Sequence, residues 1–133
     1  MQYLLDTHAF LWATSQSSKL PKNVVVTITD PQNDIFISAI SFWQIAIKVR
    51  SGRLDIGKYK PGELPVHASN MGFLLLGLLP DEAATTGQLA ENTHFDPFDR
   101  MLIWQAIQRK LVMVSGDQEF SKFKKHGLKT LWK

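Results

Sequence analysis

The sequence predicts a three-layer α/β/α domain, in which helices cover both faces of a five-stranded parallel sheet. Short apolar segments alternate with helical patterns along the whole chain. The stretches between successive strands are long enough for the right-handed crossovers that join parallel strands. No linker or low-complexity stretch divides the 133 residues, so we expect a single domain spanning residues 1–133.

Five segments are interpreted as strands because they are apolar and short. They are residues 3–5, 34–37, 73–78, 112–114 and 130–132. In open α/β sheets, ligands bind beyond the carboxyl ends of the strands, where the strand order reverses. If the first and fourth strands are neighbours, that switch point lies between them.

Local signals mark several of the expected helix ends. Pro21 suits the first turn of a helix that runs to about Asp30. Ser38 or Ser41 caps an apolar-rich helix over residues 42–50, which stops near Gly52. The other helices are expected at residues 7–14, 80–91, 99–109 and 117–125, with a loop at 58–65 and a weak helix at best at 62–70.

Four aspartates stand where a strand ends or a helix begins. Asp6 follows the first strand, Asp117 follows the fourth, and Asp96 and Asp99 flank Pro97-Phe98 ahead of a helix. Carboxylates gathered in one cleft raise one another's pKa, so a divalent cation is the natural counter-charge. An all-oxygen cluster suits Mg²⁺ or Mn²⁺ rather than zinc. The pattern indicates metal-assisted phosphoryl chemistry.

Composition excludes several classes of protein and favours a nucleic-acid partner. The chain has no cysteine, which rules out a disulfide framework and a thiolate metal site. The longest apolar run, residues 73–79, is far shorter than the roughly 20 residues of a membrane span. There is no signal-peptide pattern, so we expect a cytoplasmic protein without membrane contact. The net charge is +3, and residues 109–133 are rich in lysine, which would attract a phosphate backbone.

Four motifs together resemble the PIN domain, and more narrowly the VapC-type ribonuclease toxins of bacterial toxin–antitoxin pairs. They are YLLDTH at 3–8, SAISFWQIAIK at 38–48, DPFDRMLI at 96–103 and VSGD at 114–117. The resemblance implies that Asp6, Asp99 and Asp117 are catalytic, and that these three with Asp96 bind Mg²⁺ or Mn²⁺. It also implies an RNA substrate, a small antitoxin protein as partner, and a homodimer.

One position departs from the family pattern. Gln44 stands where the family has its second acid, and an amide brings no charge and cannot act as a base. The leading hypothesis is therefore a metal-dependent endoribonuclease, and the alternative is a catalytically weakened PIN-like module that binds RNA or protein. A receiver domain or a haloacid-dehalogenase-type phosphatase fits less well, because the second strand ends in Ser38 and His8 stands where the phosphatase pattern has an aspartate.

Further residues are assigned to the site with their structural alternatives left open. Thr7 and Ser115 are hydroxyls that orient the acids or cap strand ends, and Gln44 lines the site or packs as a core amide. Substrate contacts are expected from Arg100, Lys122, Lys124 and Lys125, which could instead bind a structural carboxylate or face solvent. The remaining candidates, interpreted as structural, are His8, His94, Trp12, Trp43, Trp104 and Trp132.

Overall fold

Five short strands form one sheet in the order β3-β2-β1-β4-β5 in the computed structural model, which describes residues 1–94 and 96–133. All four neighbouring pairs are parallel, and β1 pairs directly with β4. The predicted five-stranded parallel sheet and its switch point are therefore confirmed. The strands are β1 (Gln2–Leu5), β2 (Asp34–Ser38), β3 (Leu74–Leu76), β4 (Val112–Val114) and β5 (Lys129–Leu131).

Helices occupy the connections between the strands. The α-helices are α1 (Thr7–Ser15), α2 (Lys22–Thr29), α3 (Ala39–Arg50), α4 (Leu64–Asn70), α5 (Pro80–Thr85) and α6 (Pro97–Arg109). Four 3₁₀ segments accompany them: Ser17–Lys19, Pro61–Glu63, Thr86–Gln88 and Gln118–His126. Within the described residues, no helix combines the length and the hydropathy that crossing a membrane requires.

Two helices begin earlier than predicted because capping residues set their starts. Ser38 Oγ accepts a hydrogen bond from the Ile40 N–H at 3.0 Å, so α3 begins at Ala39 and not at residue 42. Asp96 Oδ1 accepts from the Asp99 N–H at 3.0 Å, and Pro97 takes the first helical position, where a missing N–H costs nothing. Asp99 consequently lies in the first turn of α6.

One expected helix is shorter than predicted, and another is a 3₁₀ helix. The helix predicted over residues 80–91 ends at Thr85, and Arg100 donates to the carbonyl oxygens of Leu89, Glu91 and His94 in the segment that follows. Residues 117–125 were expected to be helical, and Gln118–His126 forms a 3₁₀ helix. Its two buried residues, Phe120 and Phe123, are three apart, which the three-residue repeat of a 3₁₀ helix places on one face.

The core consists of two apolar clusters, one on each face of the sheet. Leu4 belongs to the cluster beneath α6, with Leu102 and Ile103, whereas Leu5 belongs to the cluster beneath α1, with Phe10. Successive strand residues point to opposite faces, so both leucines are fully buried. This two-sided burial explains the continuous apolar run that ends at Asp6.

A buried polar network fixes α6 against the end of β2. Ser38 Oγ donates to Gln105 Oε1 at 2.6 Å, and Gln105 Nε2 donates to the Gly77 carbonyl oxygen at 3.2 Å. Arg109 donates to both carboxylate oxygens of Glu82, at 2.6 and 2.7 Å, and this pairing holds the pKa of Glu82 below its usual range. Because Asp99 lies on the same helix as Gln105 and Arg109, the network also fixes the position of Asp99.

Candidate active site

Asp6 lies at the carboxyl end of β1 and caps α1. Its Oδ1 accepts a hydrogen bond from the Ala9 N–H at 2.7 Å, and its own N–H donates to the Val114 carbonyl oxygen at 3.0 Å, which ties β1 to β4. Only 5% of the residue is exposed. Burial raises the pKa of Asp6, although hydrogen bonds from Ser115 and Ala9 oppose the shift. The carboxylate is thus held where its charge is costly.

Asp117 occupies the equivalent place after β4. Its side chain accepts from the Glu119 N–H at 2.9 Å, and its own N–H donates to Ser115 Oγ at 3.1 Å. Ser115 is buried and lies between the main chain of Asp117 and the carboxylate of Asp6. Because β1 and β4 are parallel neighbours, the two acids meet at one edge of the sheet.

Asp99 completes the acidic group from the first turn of α6. Its Oδ2 lies 2.9 Å from His94 Nε2, and the His94 ring packs edge-on against Phe120 and Phe123. Burial raises the pKa of Asp99, the charges of Asp96 and Asp117 raise it further, and His94 opposes the shift. His94, interpreted from sequence as structural, therefore contacts a site acid directly.

A cavity of about 200 Å³ brings these acids together, and we call it the acid pocket. The predicted residues that it gathers are Asp6, Thr7, Gln44, Asp96, Asp99 and Asp117, and His8, Lys48 and Phe120 complete its wall. In the described part of the chain, one oxygen of each of Asp96, Asp99 and Asp117 accepts a local hydrogen bond, and the other oxygen has no protein donor.

The donor chemistry of the acid pocket fits a hard divalent cation. Four carboxylates offer the oxygen ligands that Mg²⁺ and Mn²⁺ prefer, and burial raises the pKa of Asp6 and Asp99, whose charged forms a nearby cation would stabilise. Among residues 1–94 and 96–133, however, no three histidine or acidic side chains already stand close enough to share one ion. Binding would require the free carboxylate oxygens to turn toward the cation.

Gln44 is a buried wall residue whose orientation is fixed by Thr7. The Thr7 hydroxyl donates to Gln44 Oε1 at 2.6 Å and lies 3.0 Å from Ser41 Oγ. The Gln44 side chain is therefore bonded to buried Thr7 and also lines the acid pocket. A glutamate here could accept the same hydrogen bond from Thr7.

Lys48 is a site residue that the sequence analysis missed. It lies one turn after Gln44 on α3, lines the acid pocket, and is only half-buried. Its ammonium forms no ion pair with any carboxylate in the described residues. The available signal was the four-residue spacing from Gln44, which places both side chains on one helix face.

The basic residues assigned to the substrate do not line the acid pocket. Arg100 uses its guanidinium on three main-chain carbonyl groups, a structural role that the sequence did not predict. Lys122 pairs with Glu119 at 2.5 Å, and Lys125 lies 3.6 Å from Glu91, whose pKa is held at about 2 by hydrogen bonds from Thr93. Lys124 is exposed on the same 3₁₀ segment.

A protein-family model matches most of this chain. The family model described as PIN domain matches residues 3–126. A comparison with curated proteins gives no match.

Several solved structures share the fold over nearly the whole chain. A VapBC2 structure from Rickettsia felis, bound to a DNA fragment from their promoter, is similar with a TM-score of 0.71 and 18% identity over 100% of both chains. DNA-bound VapBC from Salmonella typhimurium has a TM-score of 0.66 and 19% identity, covering 98% of this chain and 97% of that one. FitAcB from Neisseria gonorrhoeae has a TM-score of 0.62 and 19% identity, covering 98% and 96%.

The raised pKa of Asp6 predicts that an uncharged replacement stabilises the metal-free protein. In EDTA at neutral pH, we expect Asp6→Asn to melt at a higher temperature than wild type, because asparagine still caps α1 and carries no buried charge. An acid whose folded pKa is raised loses stability as the pH rises from its unfolded pKa through its folded one. The difference should therefore vanish as the pH falls below the unfolded value of 3.8. Exposed Asp34→Asn is the control, and a deficit for Asp6→Asn at every pH would contradict the prediction.

Proposed function

This chain belongs to the PIN domain family, and from that membership and the acid pocket we propose that it is an Mg²⁺- or Mn²⁺-dependent endoribonuclease that hydrolyses RNA phosphodiester bonds. The observation that supports the proposal most strongly is the convergence of Asp6, Asp96, Asp99 and Asp117 at the switch point of the sheet. Burial raises the pKa of two of these carboxylates, so a cation bound beside them would stabilise their charged forms. A divalent cation held by these carboxylates would supply positive charge to the pocket and attract a phosphate group.

Asp6, Asp99 and Asp117 would hold the cation, and Asp96 lines the same pocket while its Oδ1 caps α6. A bound divalent ion supplies Lewis-acid activation of water and neutralises charge on the scissile phosphate. We assign proton acceptance to Asp99, because burial raises its pKa and His94 fixes one of its oxygens. No covalent intermediate with the protein is needed.

Lys48 contributes a second positive charge to the same pocket. Lys48 lies on α3, the helix that carries Gln44, and its ammonium has no carboxylate partner in the described residues. We assign it to a non-bridging oxygen of the scissile phosphate, where a fixed cation stabilises charge that develops in the transition state. With Gln44 neutral and Lys48 positive, the pocket requires fewer metal charges than one with a glutamate at position 44.

The similarity to VapBC structures supports a role as the toxin of a type II toxin–antitoxin pair. The partner would be a small antitoxin protein, and the chain would form a homodimer. Exposed apolar side chains favour protein partners: Trp43 on α3 is 58% exposed, and Leu75 on the edge strand β3 is 47% exposed. A cytoplasmic location follows from the same role.

The alternative is a PIN-like module that binds RNA or protein with little catalysis. Two observations favour it: Gln44 replaces an acid, and in the described residues no three ligands are already gathered for a metal. The two functions differ in one respect that can be measured, which is turnover.

Cleavage of single-stranded RNA is the direct test of the nuclease. We expect purified protein to cut a generic RNA when Mn²⁺ or Mg²⁺ is added and not in EDTA. Asp99→Asn should reduce the rate by roughly a hundredfold or more, because it removes both a metal ligand and the proton acceptor. Asp81→Asn, an exposed change in α5, is the matched control. RNA binding without metal-dependent cleavage would support the binding module instead.

A substitution at Gln44 tests whether the acid pocket lacks a negative charge for metal binding. We expect Gln44→Glu to tighten Mn²⁺ binding by about tenfold and to speed RNA cleavage, because glutamate keeps the Thr7 hydrogen bond and adds a negative charge beside the cation. Isothermal titration calorimetry measures the affinity. Gln108→Glu places the same charge on an exposed position of α6 and serves as the control.

Asp96 supplies the competing account of that charge. If Asp96 already acts as the fourth ligand, Asp96→Asn should weaken Mn²⁺ binding severely, and Gln44→Glu should change little. Asparagine preserves the cap of α6, so the comparison isolates the charge. If neither substitution alters metal affinity or cleavage, both residues are structural and our assignment of them is wrong.

A further inference from the structure

A larger groove adjoins the acid pocket on the side of α1 and β5. It has a volume of about 640 Å³ and shares Asp6, His8 and Asp117 with the acid pocket. The volume falls within the roughly 300–1,000 Å³ of pockets that hold small ligands. We call it the tryptophan groove, and its other walls are Trp12, Lys19, Leu20, Pro21, Gly116, Trp132 and Lys133.

Two tryptophans form the aromatic wall of the groove. The ring centroids of Trp12 and Trp132 lie 5.9 Å apart, with the ring planes tilted by 45°, and both residues are only half-buried. Trp104, in contrast, is buried, and Trp43 packs against Phe98. All four tryptophans were expected to be core or interface residues. That expectation does not explain why Trp12 and Trp132 line a groove beside Asp6 and Asp117.

Gly116 holds Trp132 close to the acids. A Cβ atom at position 116 would lie 2.7–2.9 Å from three atoms of the Trp132 ring, which is closer than real side chains approach. Only glycine allows the ring to rest on this backbone, and the next residue is Asp117. The Trp132 ring is thus fixed beside a site acid.

The rim of the groove is cationic. Lys19 Nζ lies 5.6 Å from the centroid of the Trp12 ring, and Lys133 lines the groove as well. In the part of the chain that the structure describes, neither ammonium pairs with a carboxylate. The groove therefore runs from acids at one end to aromatic rings and lysine ammonium groups at the other.

We propose that the tryptophan groove is a nucleobase-stacking subsite, which holds one nucleotide of a single-stranded RNA next to the scissile phosphate. The proposal rests on the proposed nuclease function for the position of that phosphate. Indole faces stack with any base, and the lysines meet the neighbouring phosphates, which is how single strands are held without sequence readout. A protein segment fits the groove less well, because only an acidic segment would supply negative charge to the two lysines.

Binding of a short labelled RNA in EDTA tests the subsite without cleavage. The probes are a fluorescent single-stranded decamer and a set of the same decamer with one base removed at each position in turn. We expect Trp132→Ala and Trp12→Ala to raise the Kd for the intact decamer about tenfold, and the matching phenylalanine variants to restore most of the affinity. One abasic position should weaken wild type by a similar factor and have no further effect in Trp132→Ala.

Gly116→Ala gives an independent route to the same result. The added methyl group displaces the Trp132 ring without removing it, so we expect the loss of affinity to match that of Trp132→Ala. Val66→Ala on α4, at an exposed position that lines neither the groove nor the acid pocket, is the control and should leave the Kd unchanged. The phenylalanine and glycine variants keep the test decisive if an alanine variant does not fold.

Equal affinity of wild type and the tryptophan variants for the intact decamer would overturn the subsite, as would a loss that is identical for intact and abasic probes. Tryptophan variants that bind RNA normally but fail to bind an acidic antitoxin-type peptide would assign the groove to protein instead. A wild type that stacks the base yet never cleaves RNA removes the nuclease and leaves the subsite. Normal RNA cleavage by wild type, with unchanged RNA affinity in the tryptophan variants, would support the nuclease and overturn the subsite.

Discussion

The pairing of β1 with β4 is the constraint on which the rest of the site depends. It brings Asp6 and Asp117 to one edge of the sheet, where the polar network around Gln105 also holds α6 and with it Asp99. The pairing leaves the carboxylates partly out of water with too little positive charge, and burial raises the pKa of Asp6 and Asp99. The metal-free fold thus tolerates a cost that a cation would remove, a balance typical of sites that trade stability for function.

Local hydrogen bonds explain how the fold keeps these acids in place without a metal. Asp6, Asp96 and Asp117 each accept from a main-chain N–H at the start of the following helix, and Asp99 accepts from His94. The N-terminus of a helix carries a partial positive charge, so each cap offsets part of the repulsion. These bonds use one oxygen of each carboxylate, and in the described residues no three acidic or histidine side chains are gathered as a metal site.

Sequence reasoning reached the sheet and the acids because both have strong local signals. Two-sided burial of β1 and β4 produces continuous apolar runs, and an aspartate after each run marks the carboxyl end. The type and length of several helices were not accessible in the same way. The 3₁₀ form of Gln118–His126 depends on burial of Phe120 and Phe123 against other elements. The segment after the early end of α5 is held by hydrogen bonds from Arg100, which lies up to eleven residues further along the chain. The sequence did not predict that Lys48, Trp12 and Trp132 line cavities, because the packing of the folded chain and not a sequence motif determines which residues line a cavity.

The central claim is that Asp6, Asp99 and Asp117 together hold a divalent cation, and crystals grown or soaked with Mn²⁺ test it most directly. Anomalous diffraction locates manganese without reference to any assumed role of the protein. The account predicts a peak in the acid pocket, coordinated by oxygen atoms of these three aspartates, that disappears in Asp99→Asn. A peak elsewhere, or none at Mn²⁺ concentrations that saturate other nucleases of this metal class, would contradict it.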